Sequence, residues 1–559
     1  MPNLTINGVL LEFQKGQSIL EVAIDNAIEI PHYCYHPGLS VPANCRICLA
    51  EISQPNHKTG QLELIPKLMP TCHTAAAEGM VVSTLTPKAE ANQKAVMEYL
   101  LINHPVDCAV CDQAGECGLQ DYSYEYGRSH SRFEEDKIKN PKKDVGPHVL
   151  LYSDRCIMCT RCVRFTKEVT KTSELMVEGR GGTEMIDVFP GIALDNELSG
   201  NVVDLCPVGA LLDKDFLFQQ RVWFLKKTPS IDGITASGDN ISIEHNEGVV
   251  YRIKPRTNLE VNQWWITDEV RYGWKFVHSE NRLTLPALRG AVSFDRADPA
   301  AAWDATMSRA VDVLQAGSRN GRIAFLASPM LSCEDAFLLG RAILSIDPSA
   351  VLGVGPVPKS GEDRTLDGGF TISCEKAPNA RGVRRVLEAL AGTAPARRPT
   401  GAPSVCDANE FLAALTSAGS SVALVTGNYP SEWVDEPLAR ALAVRRFVLL
   451  DTLPNRLTSL AETFLPVATW VEKSGTFENA KNRLQSFERA ISPVDFVKCE
   501  GQIALDLATR LTGSPAAIYD AARTRLEMSA VRGLEIFADQ VRHPPLAHAR
   551  ASDMVTVEI

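Results

Sequence analysis

Alternation of apolar and polar residues at the start of the chain predicts a small β-rich fold. The apolar runs Leu4–Ile6 and Val9–Phe13 flank Asn7-Gly8, a dipeptide typical of a type I′ hairpin turn. Ser18-Ile19-Leu20-Glu21 has the spacing of a capping box, and we expect it to begin a helix that continues to about Ala27. A hairpin followed by a short helix is therefore predicted here.

Short apolar runs in the second half of the chain predict buried parallel strands. Arg322–Ala327 and Val422–Val425 are bounded by Gly, Pro and Ser, and Phe447–Leu450 is a third run of this kind. A helix is expected between the first two, over about Glu334–Leu344. Strands that alternate with helices indicate a doubly wound α/β domain.

Other segments carry weaker patterns. Helical periodicity is present in Lys88–Ile102, and β-type residues are frequent in Ile241–Ile243 and Val249–Ile253. Mixed charge in Ser129–Lys143 indicates a solvated connector, and the composition of Gly392–Ser404 indicates a mobile loop.

The length and composition of the chain indicate its general class and its number of domains. The chain has 559 residues, 45% hydrophobic and 22% charged, which predicts a globular protein of three to five domains. Its net charge of −11 argues against nucleic-acid binding. We find neither a signal-peptide pattern nor an apolar run of membrane-spanning length, so we expect membrane contact only through other subunits.

The distribution of cysteine is strongly uneven. Eleven of the 15 cysteines lie in the first 206 residues, in three groups with metal-ligand spacing. In a reducing compartment such groups indicate metal ligands rather than disulfides. The first group has three close cysteines and a distant one, which is typical of a plant-type [2Fe–2S] site, although its first gap is longer. Zinc is the alternative metal for these four residues, Cys34, Cys45, Cys48 and Cys72.

The second group contains only three cysteines, Cys108, Cys111 and Cys117. His104 lies four residues before the first of them and completes a set of four ligands. A neutral imidazole in place of one thiolate makes a bound cluster less negative, which raises its reduction potential. The spacing alone leaves zinc and a [4Fe–4S] cluster both open.

The third group is the most specific. Cys156, Cys159, Cys162 and Cys206-Pro207 reproduce the CxxCxxC…CP signature of bacterial ferredoxins, which predicts a [4Fe–4S] cluster. Three arginines flank this motif, and they either offset the negative charge of a cluster or pair with surface carboxylates; they are Arg155, Arg161 and Arg164.

These motifs together resemble a known family. The segments CYHPGL…ANCRICL…TCHT, HPVDCAVCDQAGECGLQD and DRCIMCTRCVRF…DLCPVGAL look like the large (G-type) iron–sulfur peripheral-arm subunit of the respiratory NADH:quinone oxidoreductase (complex I). The resemblance covers residues 1–220 almost continuously. It implies one [2Fe–2S] cluster on Cys34, Cys45, Cys48 and Cys72, and two [4Fe–4S] clusters on the sets that begin at His104 and Cys156.

The resemblance also implies an architecture, multidomain with α+β and α/β parts. We expect a β-grasp ferredoxin domain over 1–83, small α-rich Fe–S domains over 84–145 and 146–220, and a degenerate β-rich domain over 221–278. A molybdopterin-oxidoreductase-like α/β domain is expected over 279–525, since TFLPVATWVEKSGTFENAKNRLQ looks like the matching part of those enzymes. Residues 526–559 are expected to be a C-terminal tail, extended over Val541–Arg550.

Some members of the family hold a fourth cluster in the region that corresponds to 221–278. The ligand positions here carry no cysteine and fall near Asp232, Thr235, Asp239 and Thr267. We therefore expect no cluster in 221–278 and, without a neighbouring cluster, no molybdopterin. The remaining cysteines form no paired motif; they are Cys333, Cys374, Cys406 and Cys499.

The predicted function is electron transfer without a catalytic acid, base or nucleophile. No dinucleotide fingerprint is present, so the resemblance implies a flavin-containing NADH-oxidising subunit and other Fe–S subunits as partners. It also implies a peripheral position on the cytoplasmic side of the bacterial inner membrane, with electrons leaving toward quinone. The alternatives are the iron–sulfur subunit of an NAD-linked or iron-only hydrogenase, a molybdopterin formate dehydrogenase, and a zinc-stabilised scaffold.

Overall fold

A computed structural model describes residues 1–56, 58–290, 298–393, 405–417, 419–513 and 515–543. The chain divides into two compact units, the first built mainly from Met1–Leu225 and the second beginning at Lys226. None of the helices in these residues has the length and apolar character needed to cross a membrane. The loop predicted over Gly392–Ser404 and the end of the predicted tail lie mostly outside the described residues.

The first unit opens with a mixed sheet. Its order is β2-β1-β6-β3-β4, with β1 and β6 parallel and β5 paired to β3. The predicted hairpin and capping box are confirmed, and Asn7 and Gly8 have φ values of +49° and +85° as a type I′ turn requires. The helix ends two residues earlier than predicted, because Ala27 takes a left-handed φ of +55°. The elements are β1 Asn3–Ile6, β2 Val9–Glu12, α1 Ile19–Asp25, β3 Leu49–Pro55, β4 Leu62–Leu64, β5 Met69–Pro70 and β6 Met80–Ser83.

The rest of the first unit consists of short elements joined by loops. The predicted helix over Lys88–Ile102 is confirmed, and the connector over Ser129–Lys143 is largely exposed. Two small antiparallel sheets, β11-β8-β7 and β9-β10, support the loops between them. The elements are α2 Pro87–Ile102, α3 Gly118–Tyr126, β7 Lys142–Asp144, β8 Val149–Tyr152, α4 Arg161–Glu168, β9 Leu175–Glu178, β10 Met185–Val188, α5 Asn201–Leu205 and β11 Leu211–Asp213.

The second unit begins with a three-stranded antiparallel sheet in the order β12-β13-β14. Ile241, Ile243 and Ile253 are buried on it with Trp274 and Trp470, which explains why the two predicted strands form. The elements are β12 Lys226–Ile231, β13 Asn240–Asn246, β14 Val249–Pro255 and α6 Asp268–Tyr272.

An α/β domain forms the remainder of the second unit. Its sheet has the order β15-β22-β21-β20-β16-β17, parallel except for the edge strand β15. The three predicted strands and the predicted helix are confirmed. The elements are β15 Ala287–Leu288, α7 Pro299–Asn320, β16 Arg322–Ala327, α8 Cys333–Ile346, β17 Val351–Val354, β18 Arg364–Thr365, β19 Thr371–Ile372, α9 Ala380–Thr393, α10 Ala408–Ser417, β20 Ser420–Thr426, α11 Glu436–Ala443, β21 Arg446–Asp451, β22 Thr463–Pro466, β23 Gly475–Glu478, β24 Leu484–Phe487, α12 Glu500–Thr512 and α13 Ala521–Ser529.

Helices cover both faces of this sheet. Ile323 and Phe325 of β16 point into a core shared with α7, α8 and α12, whereas Ala324 and Leu326 point into a second core shared with α10 and α11. Alternate burial of one strand on two helical layers is the arrangement of a doubly wound domain.

The predicted C-terminal tail is wrong for its first part. Helix α13 extends to Ser529, and Met528, Leu534 and Phe537 are buried in the α/β core. These apolar residues are too few and too irregularly spaced to give an amphipathic period, so the sequence pattern did not indicate a packed segment. Further along, the Arg542 amide donates a hydrogen bond to the carbonyl of Leu484.

Candidate functional site

The first predicted ligand set is assembled from two loops of the N-terminal sheet, one between α1 and β3 and one between β5 and β6. Cys34 follows α1, Cys45 and Cys48 immediately precede β3, and Cys72 follows β5. The Sγ atoms of Cys34 and Cys45 are 3.4 Å apart, and those of Cys48 and Cys72 are 3.6 Å apart. Two thiolates bound to one tetrahedral metal ion lie about 3.8 Å apart. The four sulfurs therefore form two pairs, an arrangement that fits one pair per iron of a [2Fe–2S] cluster.

The protons of these four thiols are shared unequally. Hydrogen bonds from Cys45 and Cys72 lower the pKa of Cys34, and a hydrogen bond from Cys72 lowers the pKa of Cys48 to about 7. The same hydrogen bonds raise the pKa of Cys45 and of Cys72. All four thiols ionise together only when a metal ion replaces these protons, because a coordinating thiol is deprotonated outright.

The second predicted ligand set lines a cavity in the first unit. His104 follows α2, Cys108 and Cys111 lie at a single 3₁₀ turn, and Cys117 immediately precedes α3. The Nδ1 atom of His104 is buried and has no hydrogen-bond partner among the described residues. Burial, assisted by Arg155, lowers the pKa of His104 to about 4. The imidazole is therefore neutral at physiological pH and available to bind a metal ion.

Gly209 also lines this cavity, although the sequence did not single it out. A Cβ atom at this position would lie 2.2 Å from the Sγ atom of Cys111, so any larger residue displaces that sulfur. The only signal in the sequence was its position three residues after Cys206. The segment that supplies the last ligand of the third set thus also shapes the second cavity.

The third predicted ligand set lines a separate cavity, whose other walls are mainly apolar. Cys156 and Cys159 lie in the loop before α4, where left-handed Met158 and Thr160 turn the chain around the cavity. Burial raises the pKa of all four thiols, that of Cys206 to about 11. Four thiolates in such surroundings would require a cationic partner, and the irons of a [4Fe–4S] cluster would supply that charge.

The three arginines near this set are buried rather than paired at the surface. Arg155 donates to the Asp107 carboxylate at 2.8 Å, and Arg161 donates to the carbonyl of Tyr35 at 2.5 Å. Arg164 donates to the carbonyl of Cys34 in the first ligand set and to that of Cys159 in its own segment. All three arginines are buried, which contradicts a surface position, but Arg155 does pair with a partly exposed carboxylate, that of Asp107.

The positions of the missing fourth set carry oxygen ligands only. Asp232, Thr235, Asp239 and Thr267 are all buried. The Asp232 carboxylate accepts hydrogen bonds from the Ile234 and Thr235 amides, and the Thr267 hydroxyl caps α6. Burial raises the pKa of Asp232 to about 6 and also raises that of Asp239 well above its ordinary value. Hard oxygen ligands do not suit an Fe–S cluster, and the expectation that none is bound here stays a prediction.

In the α/β domain, apolar side chains pack where a doubly wound sheet usually binds its ligand. The strand order changes direction between β16 and β20, so a ligand crevice is expected beyond their carboxyl ends. Met330 and Tyr429 follow these two strands and are buried against Ala377, and Tyr429 stacks on Trp433 at 4.9 Å. The expected absence of molybdopterin stays a prediction.

Family models match four segments of the chain. Residues 2–87 match a 2Fe-2S iron-sulfur cluster binding domain, and residues 93–132 match an NADH-ubiquinone oxidoreductase-G iron-sulfur binding region. Residues 146–212 match the ferredoxin-like domain of NADH-quinone oxidoreductase subunit 3. Residues 225–275 match an NADH-ubiquinone oxidoreductase NDSU1/NuoG-like 4Fe-4S domain, although this segment contains no cysteine.

Curated relatives carry names of the same kind. The NADH-ubiquinone oxidoreductase 78 kDa subunit, mitochondrial, of Neurospora crassa is 40% identical over 56% of this chain and 40% of its own length. The NADH dehydrogenase [ubiquinone] iron-sulfur protein 1, mitochondrial, of Solanum tuberosum is 42% identical over 51% of this chain and 37% of its own length. The NADH-ubiquinone oxidoreductase 75 kDa subunit of Reclinomonas americana is 36% identical over 63% and 49%. The chain thus spans less than half the length of these three relatives.

A search of solved structures matches the chain to an NAD+-reducing [NiFe]-hydrogenase in the H2-reduced state. It is 26% identical, with a TM-score of 0.34, over 40% of this chain and 91% of its own chain. That TM-score is too low to support a conclusion about the fold. The four family models and the named relatives agree with one another: the matched part of the chain is similar to the large (G-type, 75–78 kDa) iron–sulfur subunits of NADH:quinone oxidoreductase, complex I.

Proposed function

We propose that the protein transfers single electrons within NADH:quinone oxidoreductase, between a flavin-containing NADH-oxidising subunit and further Fe–S subunits that lead to quinone. The observation that carries this proposal is the presence of three separate four-ligand sets within one compact unit. Iron–sulfur clusters, when bound, accept and release one electron at a time. The chain's own residues hold them, exclude water and adjust the charge around them.

The ligands in this proposal are those predicted from the sequence. One [2Fe–2S] cluster is held by the two sulfur pairs, Cys34 with Cys45 and Cys48 with Cys72. Two [4Fe–4S] clusters occupy the two cavities of the first unit, one on His104, Cys108, Cys111 and Cys117, the other on Cys156, Cys159, Cys162 and Cys206.

The second unit carries no electrons in this proposal. The match of residues 225–275 to a 4Fe-4S domain favours a common origin, while the Asp and Thr residues at the ligand positions argue against a cluster. Residues 279–525 are assigned a molybdopterin-oxidoreductase-like fold that serves as scaffold. The domain boundaries at 83, 145, 220 and 278 belong to the same proposal.

The protein acts as part of a larger enzyme and is not catalytically complete alone. Its proposed partners are the flavin subunit and other Fe–S subunits. We locate the protein at the cytoplasmic side of the bacterial inner membrane, where only these partners connect it to the membrane. A hydrogenase subunit is the weaker alternative, since the three curated relatives are named for NADH oxidoreductases or dehydrogenases.

Metal analysis of the purified full chain tests this proposal. Iron, acid-labile sulfide, zinc and molybdenum are measured per chain, and reduced samples are examined by EPR. The proposal expects about ten irons per chain, from one two-iron and two four-iron clusters. Cys159→Ser removes a ligand and should lower the iron content, whereas Cys374→Ser, outside the three sets, should not. Stoichiometric zinc in place of iron, or an equal loss of iron in both variants, would contradict the proposed function.

A further inference from the structure

Arg155 is next to the third ligand set in the sequence and lines the cavity of the second ligand set. In the chain it immediately precedes Cys156 of the third set. Arg155 is also among the residues that line the cavity of the second set, together with His104 and the three cysteines. The side chain is only 3% exposed, so this cation lies inside the protein between the two sites.

Three contacts fix the guanidinium group. The Nε and Nη2 atoms of Arg155 donate to one oxygen of Asp107, at 3.2 and 2.8 Å. The flat group lies over the ring of Tyr152, with 4.1 Å between the guanidinium carbon and the ring centroid. Its aliphatic part lies near Gly209 in the same cavity wall, since a Cβ atom on that glycine would be 3.8 Å from the Cδ atom of Arg155.

The remaining nitrogen of Arg155, Nη1, is buried and finds no acceptor among the residues that the structure describes. His104 lines the same cavity. Its Nδ1 atom also has no hydrogen-bond partner among the described residues. A buried charged donor without an acceptor is strongly unfavourable, because it has lost its hydrogen bonds to water without replacing them. An acceptor is therefore expected in the cavity itself, and the sulfurs of an Fe–S cluster are negatively charged acceptors.

We propose that Arg155 sets the reduction potential of the cluster held by His104, Cys108, Cys111 and Cys117, by donating a hydrogen bond from Nη1 to a sulfur of that cluster. This inference rests on the proposed function. A buried positive charge favours the reduced, more negative state and raises the potential. Asp107 opposes that effect, because its carboxylate neutralises part of the charge of Arg155.

The test is an EPR-monitored redox titration of the full chain with all clusters loaded. Arg155→Gln should shift the potential of the His104 cluster to more negative values, the Cys156 cluster less, and the [2Fe–2S] cluster least. Asp107→Asn should shift the His104 cluster in the opposite direction. Lys137→Gln is the matched control, because Lys137 is a cation near His104 that lies exposed to solvent, where water screens it, so its effect should be smaller.

Arg155→Lys keeps the positive charge. It loses the planar guanidinium group, whose separate N–H donors bond Asp107 and, in this proposal, a cluster sulfur. It should retain the cluster and show an intermediate shift, which keeps the test decisive if Arg155→Gln loses the cluster. Unchanged potentials in Arg155→Lys and Asp107→Asn, or equal shifts of all three clusters, would overturn the role of Arg155. Absence of iron from the unmodified protein would instead defeat the proposed function itself.

Discussion

The Nη2 atom of Arg164 lies 2.5 Å from the carbonyl oxygen of Cys34. The same guanidinium group reaches the carbonyl of Cys159 at 3.4 Å and also donates to the carbonyl of Ser40. Arg164 lies on α4, next to the third ligand set, whereas Cys34 belongs to the first. One buried cation therefore fixes the backbone of two ligand loops that are more than 100 residues apart in sequence.

Replacing Arg164 should disturb the first and third sets together. Arg164→Met leaves several buried carbonyls without donors, at a cost of about 1–3 kcal/mol for each that water cannot reach. We expect reduced EPR signals from the [2Fe–2S] cluster and the Cys156 cluster, with the His104 cluster least affected. Arg46→Met is the control, since Arg46 is exposed and its side chain bonds a neighbouring carbonyl in the first loop. Loss of a single signal would show that Arg164 does not link the two loops.

His104 is the residue whose substitution most directly tests the second set. His104→Ala removes a ligand, so the signal of this cluster should disappear or change while the other two remain. His104→Cys restores a ligand with a negative charge, and the cluster should return with a more negative potential. His130→Ala, an exposed histidine in the connector, provides the control. If His104→Ala leaves all three signals as they are, His104 is not a ligand.

Gly209 allows a purely steric test of the same cavity. Gly209→Ala places a Cβ atom 2.2 Å from the Cys111 sulfur, so the ligand must move. We expect metal retention by this site to fall roughly 10-fold or more, as is usual when the support of a ligand is changed. Gly182→Ala meets no atom within 4 Å and should have no effect. Iron content and EPR amplitude after dialysis against a chelator measure the difference.

The proposed ligands could be predicted because all of them except His104 are cysteines in fixed spacing, whereas their supporting residues could not. CxxC spacing encodes a loop that returns to one centre, and each predicted set indeed comes together around paired sulfurs or a cavity. Gly209 and the Asp107–Arg155 pair join segments that are distant in sequence, and no local pattern encodes such a contact.

The same contrast applies to the fold. The run Arg322–Ala327 is a central strand buried on both faces, so its composition alone indicated its structure. Helix α13 buries only Ala521, Thr524 and Met528, which is too weak a stripe to recognise, and its position depends on a core built by other segments. Short elements held by tertiary packing are thus the part of this fold that a single sequence does not reveal.

The carboxylates at the missing fourth set predict a pH-dependent stability. The Oδ2 atom of Asp239 is buried without a partner among the described residues, and burial, with the nearby Asp232, raises its pKa well above 3.8. A raised carboxyl pKa means that the folded state binds the proton more tightly than the unfolded state. Its contribution to stability is therefore present below pH 3.8 and is lost as the pH rises through the folded pKa.

Asp239→Asn should accordingly stabilise the second unit, and more at pH 8 than at pH 5. The expected gain at pH 8 is about 1–3 kcal/mol, which corresponds to a few degrees in the unfolding midpoint. Asp232→Asn should have the opposite sign, because the Asp232 carboxylate accepts bonds from the Ile234 and Thr235 amides and an amide group would turn a donor toward them. Thermal unfolding of both variants at the two pH values measures this. Equal gains at pH 5 and pH 8 would mean that Asp239 does not titrate between them.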